Sequence, residues 1–226
     1  MRKMMFSTVY GLEQGVLART KEMTRRIEKG LEQLPTKKAD DEYFITHWEG
    51  DRFLVRKYAQ GALLEQAYAI PNFRVGEVVA IGQSYRQIHE DMKIGRAGDY
   101  DHFKEAFIRD DDEWINTKAP ESYGWRNKMY VKAELMPHRF EITSIALQHL
   151  QDISEEDCMK EGIFLDDTAP SCYHPFYTFQ NSVIDETPVG YKTPRLAFAS
   201  LIDKVSGRGT WDSNPWVMAY SLKLIV

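Results

Sequence analysis

A short apolar run at Val75–Ile81 constrains the fold of this chain more than any other feature of its sequence. The run is rich in β-branched residues and nearly continuous in its hydrophobicity, with a break at Gly76. Short continuous apolar runs are typical of strands that are buried on both faces. We therefore expect Val75–Ile81 to lie in the core of a sheet or barrel.

Several other segments show the period-two alternation of a strand. Two of them, Tyr43–Trp48 and Arg52–Tyr58, flank Glu49–Asp51 and predict a β-hairpin. Met129–Leu135 alternates apolar and polar residues, which predicts a half-buried strand. The remaining predicted strands are a short one that ends near Ser7, one at Phe140–Leu147 with a bulge between Ile142 and Ile145, and a last one at Met218–Val226.

Three segments carry helix signals. Ser154 is a good N-cap, Asp157 occupies the position of the reciprocal acid in a capping box, and Gly162 is a stop signal. Thr193–Pro194 opens a later helix that is expected to end at Gly207. The apolar stripes are Val9, Leu12, Val16 and Leu17 in a first helix that runs to about Arg19, and Phe198, Leu201, Ile202 and Val205 in the last.

The length of 226 residues fits a single domain, residues 1–226, that carries insertions. We expect the insertions at 28–70, 83–124 and 164–192. The second of them is strongly acidic, but its run Asp110–Glu113 lacks the interleaved spacing of metal ligands and is interpreted as a solvated loop. The third is a long aromatic segment, in which Tyr173 and Phe176 either stack on a bound base or pack as a lid.

Composition excludes several functional classes. A formal net charge of −5 argues against a broad phosphate-binding surface, so any nucleotide contact is expected in a local basic pocket. Cys158 and Cys172 have neither metal-ligand spacing nor the number needed for a disulfide framework, and the six histidines are scattered. No segment is apolar enough to span a membrane. These features predict a soluble cytoplasmic protein with no metal, no cofactor and no membrane partner.

The segment Arg19–Arg26, Arg-Thr-Lys-Glu-Met-Thr-Arg-Arg, concentrates basic and hydroxyl residues in a chain that is acidic elsewhere. Such a cluster either binds an anion or activates a nucleophile. A lysine whose pKa is lowered by desolvation, here Lys21, can accept the proton of a nearby threonine such as Thr24. The structural alternative is a solvated helix end, with cations that complement the helix dipole and a threonine in a turn.

Several blocks of sequence together resemble one family, the ASCH domains, which belong to the PUA-like β-barrels. Arg19–Arg26 resembles the family signature Gly-x-Lys-Thr-x-Thr-x-Arg, and Phe73–Val79 resembles its Val-Gly-Asp-x-Leu strand. Leu150–Ile163 and Trp211–Val217 are similar to segments of longer, phage-associated ASCH-like proteins. The resemblance implies an α+β fold, a PUA-like mixed β-barrel with flanking helices, and a cleft beside the lysine.

The resemblance also implies an activity. ASCH domains have been proposed to bind RNA, and some small members are amidohydrolases that remove the acetyl group from acetylated cytidine. Their functional Lys, Thr and Glu match Lys21, Thr24 and Glu161. Glu161 lies three residues after Cys158 on the predicted helix, so its carboxylate is expected to be partly desolvated. Glu22, where the signature has a threonine, would hold Lys21 in its protonated form.

These residues give one leading hypothesis and two alternatives. In the first, Thr24 is the nucleophile, Lys21 its base and Glu161 the acid for the leaving amine, with Arg25 or Arg26 on the oxyanion or a ligand phosphate. Arg19 is expected to contribute to the same ligand site. The second is a non-catalytic binding module for RNA or a modified base. The third is a phage accessory protein whose residues 83–124 bind a host protein.

Overall fold

The computed structural model describes residues 1–36, 40–93, 124–167, 176–181, 183–184 and 187–225. These residues form a mixed α+β fold, which confirms the predicted class. In chain order the elements are β1 (Lys3–Met4), α1 (Leu12–Leu17), β2 (Met23–Arg26), β3 (Glu42–Glu49), β4 (Arg52–Ala59), β5 (Ala62–Ala69), β6 (Val78–Ile81), α2 (Tyr85–Lys93), β7 (Arg139–His149), α3 (Glu155–Lys160), β8 (Phe164–Leu165), β9 (Tyr177–Thr178), β10 (Val183–Ile184), β11 (Thr187–Pro188), α4 (Pro194–Ser206), α5 (Thr210–Ser213) and β12 (Trp216–Ile225).

The central sheet has five strands in the order β1-β6-β7-β12-β2. Its spine is the long antiparallel pair β7–β12, which runs from Arg139 opposite Ile225 to His149 opposite Trp216. Within that pair Ile142 lies opposite Leu222 and Ser144 opposite Ser221, so Thr143 is the extra residue of a bulge. The predicted bulge between Ile142 and Ile145 is therefore confirmed.

Strand β6 supplies the buried centre that the apolar run predicts. Val79, Ala80 and Ile81 are fully buried, with Val79 and Ile81 in the main core and Ala80 in a second cluster on the other face. The strand is shorter than predicted, however. Val75 is 60% exposed, and Gly76 adopts a positive φ of 81° in the turn that precedes the strand.

The edges of the central sheet, β1 and β2, approach each other. Arg26 Nη2, at the end of β2, donates to the Met5 carbonyl just after β1, at 2.7 Å. No ladder of backbone hydrogen bonds joins these two strands in the residues that the structure describes, so the sheet is strongly curved but open. A gap therefore lies between its two edges.

A second sheet, β3-β4-β5, occupies the predicted insertion 28–70. The hairpin around Glu49–Asp51 is confirmed, whereas β5 was not predicted. One face of this sheet contributes Phe53, Val55 and Ala69 to the main core. Strands β4 and β5 are thus an integral part of the hydrophobic core.

The helices agree in part with their sequence signals. Ser154 Oγ caps α3 by accepting from the Asp157 amide at 3.1 Å, and Gly162 follows the helix with a positive φ of 103°. Thr193 caps α4, which ends before Gly207 as predicted. Helix α1 spans only Leu12–Leu17 and is therefore shorter than predicted. The first residue of the predicted stripe, Val9, is 61% exposed.

The predicted strand at Met129–Leu135 is wrong, whereas the predicted last strand is confirmed as β12 but alternates only in part. Met129–Leu135 forms two short 3-10 turns, because Lys3 Nζ reaches across and donates to the carbonyls of Lys128, Met129 and Val131. In β12 the five residues from Trp216 to Tyr220 are all buried, so the strand alternates only in its second half. Its first half is covered on both faces.

Some predicted features lie outside the described residues, namely Cys172, Tyr173, Asp110–Glu113 and most of the insertion 83–124. Among the helices that the structure does describe, none has the length and apolar character required to cross a membrane.

Candidate functional site

The turn after α1 directs Lys21 into the protein. The amides of Thr20 and Lys21 both donate to the Gly15 carbonyl, at 2.9 and 3.0 Å, and close the turn. A Cβ on Gly15 would lie only 3.1 Å from the Lys21 Cβ, so glycine allows the lysine stem to pass close to α1. The Lys21 side chain is only 2% exposed as a result.

Lys21 meets Glu161 at the C-terminal end of α3. Its Nζ donates to Glu161 Oε2 at 2.7 Å and to the Glu161 backbone carbonyl at 2.8 Å. Burial lowers the pKa of the Lys21 ammonium below its ordinary value of 10.5, and the Glu161 carboxylate opposes that shift. The carboxylate that faces Lys21 is thus Glu161, whereas Glu22 is exposed to solvent.

Arg25 is completely paired. Its Nη1 donates to Glu161 Oε1 at 3.1 Å, and its Nη2 donates to Asp157 Oδ2 at 2.9 Å. The amide oxygen of Gln148, in the orientation that satisfies its neighbours, accepts from Arg25 Nε at 3.1 Å and from Nη2 at 3.0 Å. The Arg25 side chain is fully buried. It joins β2 to α3 and β7 and has no free edge for a ligand.

Arg26 differs from Arg25 in this respect. Among the described residues it makes one hydrogen bond, from Nη2 to the Met5 carbonyl, and its buried Nε has no partner. The guanidinium lies over the Phe6 ring, 5.4 Å from the ring centre. Burial lowers the pKa of Arg26, and the nearby carboxylates of Glu161 and Glu28 partly offset that shift.

Lys21, Thr24, Arg25, Arg26 and Glu161 line one cavity of about 410 Å³ in the gap between β1 and β2. Thr24 is buried, and its hydroxyl makes no hydrogen bond within the part of the chain that the structure describes. The opposite wall is apolar and comes mainly from α4, through Phe198, Leu201, Ile202 and Val205. The cavity therefore has a charged wall and a hydrophobic wall.

The structure brings together five of the eight residues that the sequence nominated and places two others elsewhere. Arg19 is exposed, adopts a positive φ of 61° in the turn, and does not line the cavity. Phe176 is half-buried, packs next to Gly190, and also lies away from the cavity lining. Tyr173 is outside the described residues.

Two residues of the charged network were not recognised as site residues from the sequence. Asp157 was assigned to a capping box, but its carboxylate binds Arg25 and Lys160. Gln148 gave no signal, because a glutamine in a strand carries no chemical signature of its own. The position of Asp157, one helical turn before Glu161, is the feature that could have indicated a shared partner.

Other reactive groups of the described residues do not contribute a second chemistry here. Burial raises the pKa of the Cys158 thiol to about 12, so the thiol is unreactive at neutral pH. No group of three His, Cys, Asp or Glu residues in the described ranges is arranged to hold a metal ion.

The chain matches no protein-family model, no curated protein and no solved structure. Any proposal about function therefore depends on the geometry of the cavity and on the sequence itself.

Proposed function

We propose that the cavity binds a modified pyrimidine nucleoside and hydrolyses an amide on its base, with Thr24 as the nucleophile. The observation that carries this proposal is the buried Lys21–Glu161 pair, joined at 2.7 Å in a cavity that Thr24 also lines. A nucleophile, a base and an acid are thus available in one partly dry space. This is the arrangement that acyl transfer through a hydroxyl requires.

The Lys21–Glu161 pair can supply the base and the acid together. Transfer of one proton from Lys21 Nζ to Glu161 Oε2 along their hydrogen bond gives an amine and a carboxylic acid. Burial of the Lys21 ammonium favours loss of its proton, because the neutral amine needs no solvation. The lowered pKa of Lys21 acts in the same direction, since it makes the ammonium easier to deprotonate.

In the acylation step, the Lys21 amine takes the Thr24 hydroxyl proton while the threonine oxygen attacks the amide carbon. As the carbon–nitrogen bond breaks, the Glu161 carboxylic acid gives its proton to the leaving nitrogen. This step leaves an ester on Thr24, a free amine on the base and the charged Lys21–Glu161 pair. Water then cleaves the ester, with Glu161 accepting a proton from the water and Lys21 returning one to the Thr24 oxygen.

The size and the two walls of the cavity support a ligand of nucleoside dimensions. A volume of about 410 Å³ falls within the range of roughly 300–1,000 Å³ that is usual for small-molecule sites. The apolar wall of α4 offers a surface for a flat base and its acyl group. The resemblance to ASCH domains supports the same ligand class, and we propose that the curved central sheet corresponds to their PUA-like barrel.

The experiment is hydrolysis of N4-acetylcytidine by the wild-type protein and by Thr24→Ala, with release of cytidine measured by chromatography. Thr24→Ala should lower the rate by at least about 100-fold, because general-base help and the nucleophile are lost together. Thr24→Ser retains a hydroxyl and should retain much of the activity. Equal rates for the wild type and Thr24→Ala would contradict the proposal, and so would absence of turnover by the wild type.

One observation favours a second candidate, a binding module for RNA or a modified base without catalysis. Both carboxylate oxygens of Glu161 already accept hydrogen bonds, one from Lys21 and one from Arg25. A carboxylate whose two oxygens are both occupied in this way can fix the wall of the cavity without taking part in proton transfer. This candidate predicts saturable binding that weakens with salt, and no turnover.

A further inference from the structure

Arg26 is the cation of the cavity whose charge is least compensated. Lys21 and Arg25 each contact a carboxylate within 3.1 Å. Among the described residues Arg26 has no carboxylate within ion-pair distance, and its one hydrogen bond goes to a neutral backbone carbonyl. An arginine stays protonated under all ordinary conditions, so this positive charge persists although the side chain is half-buried.

The ionisable residues of the cavity wall also carry a net positive charge. The ionisable residues that line it are Lys21, Arg25, Arg26 and Glu161, which are three cations and one anion. Asp157 neutralises Arg25 from outside the lining. Glu28 also lies near Arg26, but its carboxylate accepts from the Tyr220 hydroxyl and the Asn72 amide and makes no ion pair with the guanidinium. Among the cations of the lining, Arg26 is therefore the one without an ion-pair partner in the described residues.

The position of Arg26 relative to Thr24 is fixed by strand geometry. Residues two apart in a strand project to the same face, about 7 Å apart along the chain. Thr24 and Arg26 are both in β2, and both line the cavity. A ligand group held by Arg26 would therefore lie beside the Thr24 hydroxyl and on the same wall.

The guanidinium is also fixed in orientation. The Phe6 ring supports it at 5.4 Å, and the Met5 carbonyl holds Nη2. Nη1 makes no hydrogen bond to the described residues and, unlike the enclosed Nε, is not sealed off from solvent, so it is the donor that a ligand can reach. A planar fork of N–H donors is suited to paired oxygen atoms of a phosphate or a carboxylate.

We infer that Arg26 binds an anionic oxygen group of the ligand, so that the natural ligand is a nucleotide rather than a neutral nucleoside. The nucleoside part of this inference rests on the proposed function. The anion site itself rests only on the geometry of Arg26. The two sources of such an anion, a terminal phosphate and an internal phosphodiester of RNA, are distinguished below.

Binding of three probes tests the inference without any need for turnover: cytidine, cytidine 5′-monophosphate and a cytidine trinucleotide, measured by calorimetry or NMR titration. The wild-type protein should bind at least one phosphate-containing probe about 10- to 100-fold more tightly than cytidine, the range expected of a charge-assisted hydrogen bond. A preference for the monophosphate identifies a terminal phosphate, and a preference for the trinucleotide alone identifies a phosphodiester.

Arg26→Gln should abolish that preference, and Arg26→Lys should retain part of it, because lysine keeps the charge but not the fork. Arg139→Gln is the matched control, since Arg139 is an exposed arginine of the same sheet, and it should leave the preference unchanged. If Arg26→Gln does not fold, Arg26→Lys is tested instead, and its preference for the phosphate-containing probe should be smaller than that of the wild type.

The inference is overturned if the wild type binds all three probes equally or binds none of them, or if Arg26→Gln keeps the preference. A pure oxyanion role for Arg26 would lower turnover of every substrate equally and leave these binding ratios unchanged. Phosphate preference without hydrolysis would support the anion site and reject the hydrolase. Hydrolysis without phosphate preference would support the hydrolase and reject the anion site.

Discussion

Lys21 and Glu161 depend on each other more than any exposed ion pair does, because both are almost completely removed from water. Glu161→Ala would leave the Lys21 ammonium buried without a counter-charge and would remove one partner of Arg25. Loss of one partner of a buried pair costs about 3–5 kcal/mol, and we expect a decrease of this size in the free energy of unfolding. Urea unfolding measures it.

The control for this prediction is Glu22→Ala. Glu22 is exposed, and its substitution should change the free energy of unfolding by less than about 0.5 kcal/mol. If Glu161→Ala were as mild as Glu22→Ala, the network around Lys21 would not contribute to stability, and the geometry described for the cavity would be unimportant in solution.

A second buried acid, Glu13, gives a prediction about pH. Burial raises its pKa above the ordinary value of 4.5, although Lys128 and Gln87 donate to the carboxylate and oppose that shift. The folded protein therefore binds more protons than the unfolded chain above pH 4.5, so the stability contributed by Glu13 falls as the pH rises through its raised pKa. Glu13→Gln removes this dependence.

The free energy of unfolding of Glu13→Gln, relative to that of the wild type, should therefore increase from pH 4 to pH 7. A pH-independent destabilisation by the amide would not change this trend. Thermal unfolding at the two pH values measures this change. Glu156→Gln, an exposed change on α3, is the comparison. A constant difference between the wild type and Glu13→Gln across this interval would contradict the prediction.

The arginine pair shows how far residue-level inference from sequence extends. Arg25 and Arg26 are chemically identical neighbours, and the sequence offered either of them for the ligand. Their roles separate only because β2 turns them to different partners, Arg25 to Glu161 and Arg26 to Met5. The spacing of Glu161 to Cys158 indicated only partial desolvation of the carboxylate, whereas the contacts with Lys21 and Arg25 that enclose it come from a distant segment.

At the scale of elements, the end of α3 controls the position of Glu161. Gly162 follows it with a φ of 103°, a conformation that residues with a Cβ rarely adopt. Gly162→Ala should lower the free energy of unfolding by roughly 1 kcal/mol or more. It should also lower the rate of the proposed amide hydrolysis, because strain at residue 162 would displace the neighbouring Glu161 carboxylate.

Gly207→Ala provides the matched comparison for this prediction. Gly207 ends α4 with a similar φ of 110° and has open space around it. Both variants should lose stability in a urea titration, but only Gly162→Ala should lose activity beyond the unfolded fraction. Equal loss of activity in the two variants would show that the end of α3 has no special influence on the cavity.

Elements with strong local signals were predicted, and those defined by distant partners were not. The cap of α3 and the bulge of β7 follow from a few adjacent residues. Strand β5 was missed because adjacent Leu63 and Leu64 break its alternation, and the ladder skips Leu64 at that point. Met129–Leu135 alternates well, but Lys3, which is remote in sequence, supplies the partners of its carbonyls.

For the whole molecule, strand β12 is the element on which the other parts converge. It pairs with β7 along its entire length and with β2 over Met218–Ser221. Its Trp216 Nε1 donates to the Pro35 carbonyl, and its Tyr220 hydroxyl donates to Glu28. The order of the five strands could not be predicted from the sequence, because it depends on such pairings between distant segments.

This arrangement predicts a gradient of amide hydrogen exchange. The amides of Met218, Ala219 and Tyr220 are flanked by strands on both sides and are fully buried, so they should exchange slowest. The amides of Leu63 and Leu64, in the exposed edge strand β5, should exchange fastest among the sheet residues. Mass spectrometry of peptic fragments measures both, and equal protection of the two strands would contradict the gradient.

The pairing of β2 with β12 has a consequence for biosynthesis. Lys21, Thr24 and Arg26 leave the ribosome early, but the strand that carries them gains its neighbour in the sheet only when residues 216–225 have emerged. Until then β2 lacks the strand beside it, even when Asp157 and Glu161, the carboxylate partners of Lys21 and Arg25, have already been made. The charged wall of the cavity is therefore completed only after residues 216–225 are made, and a chain truncated before residue 216 would lack the partner strand of β2.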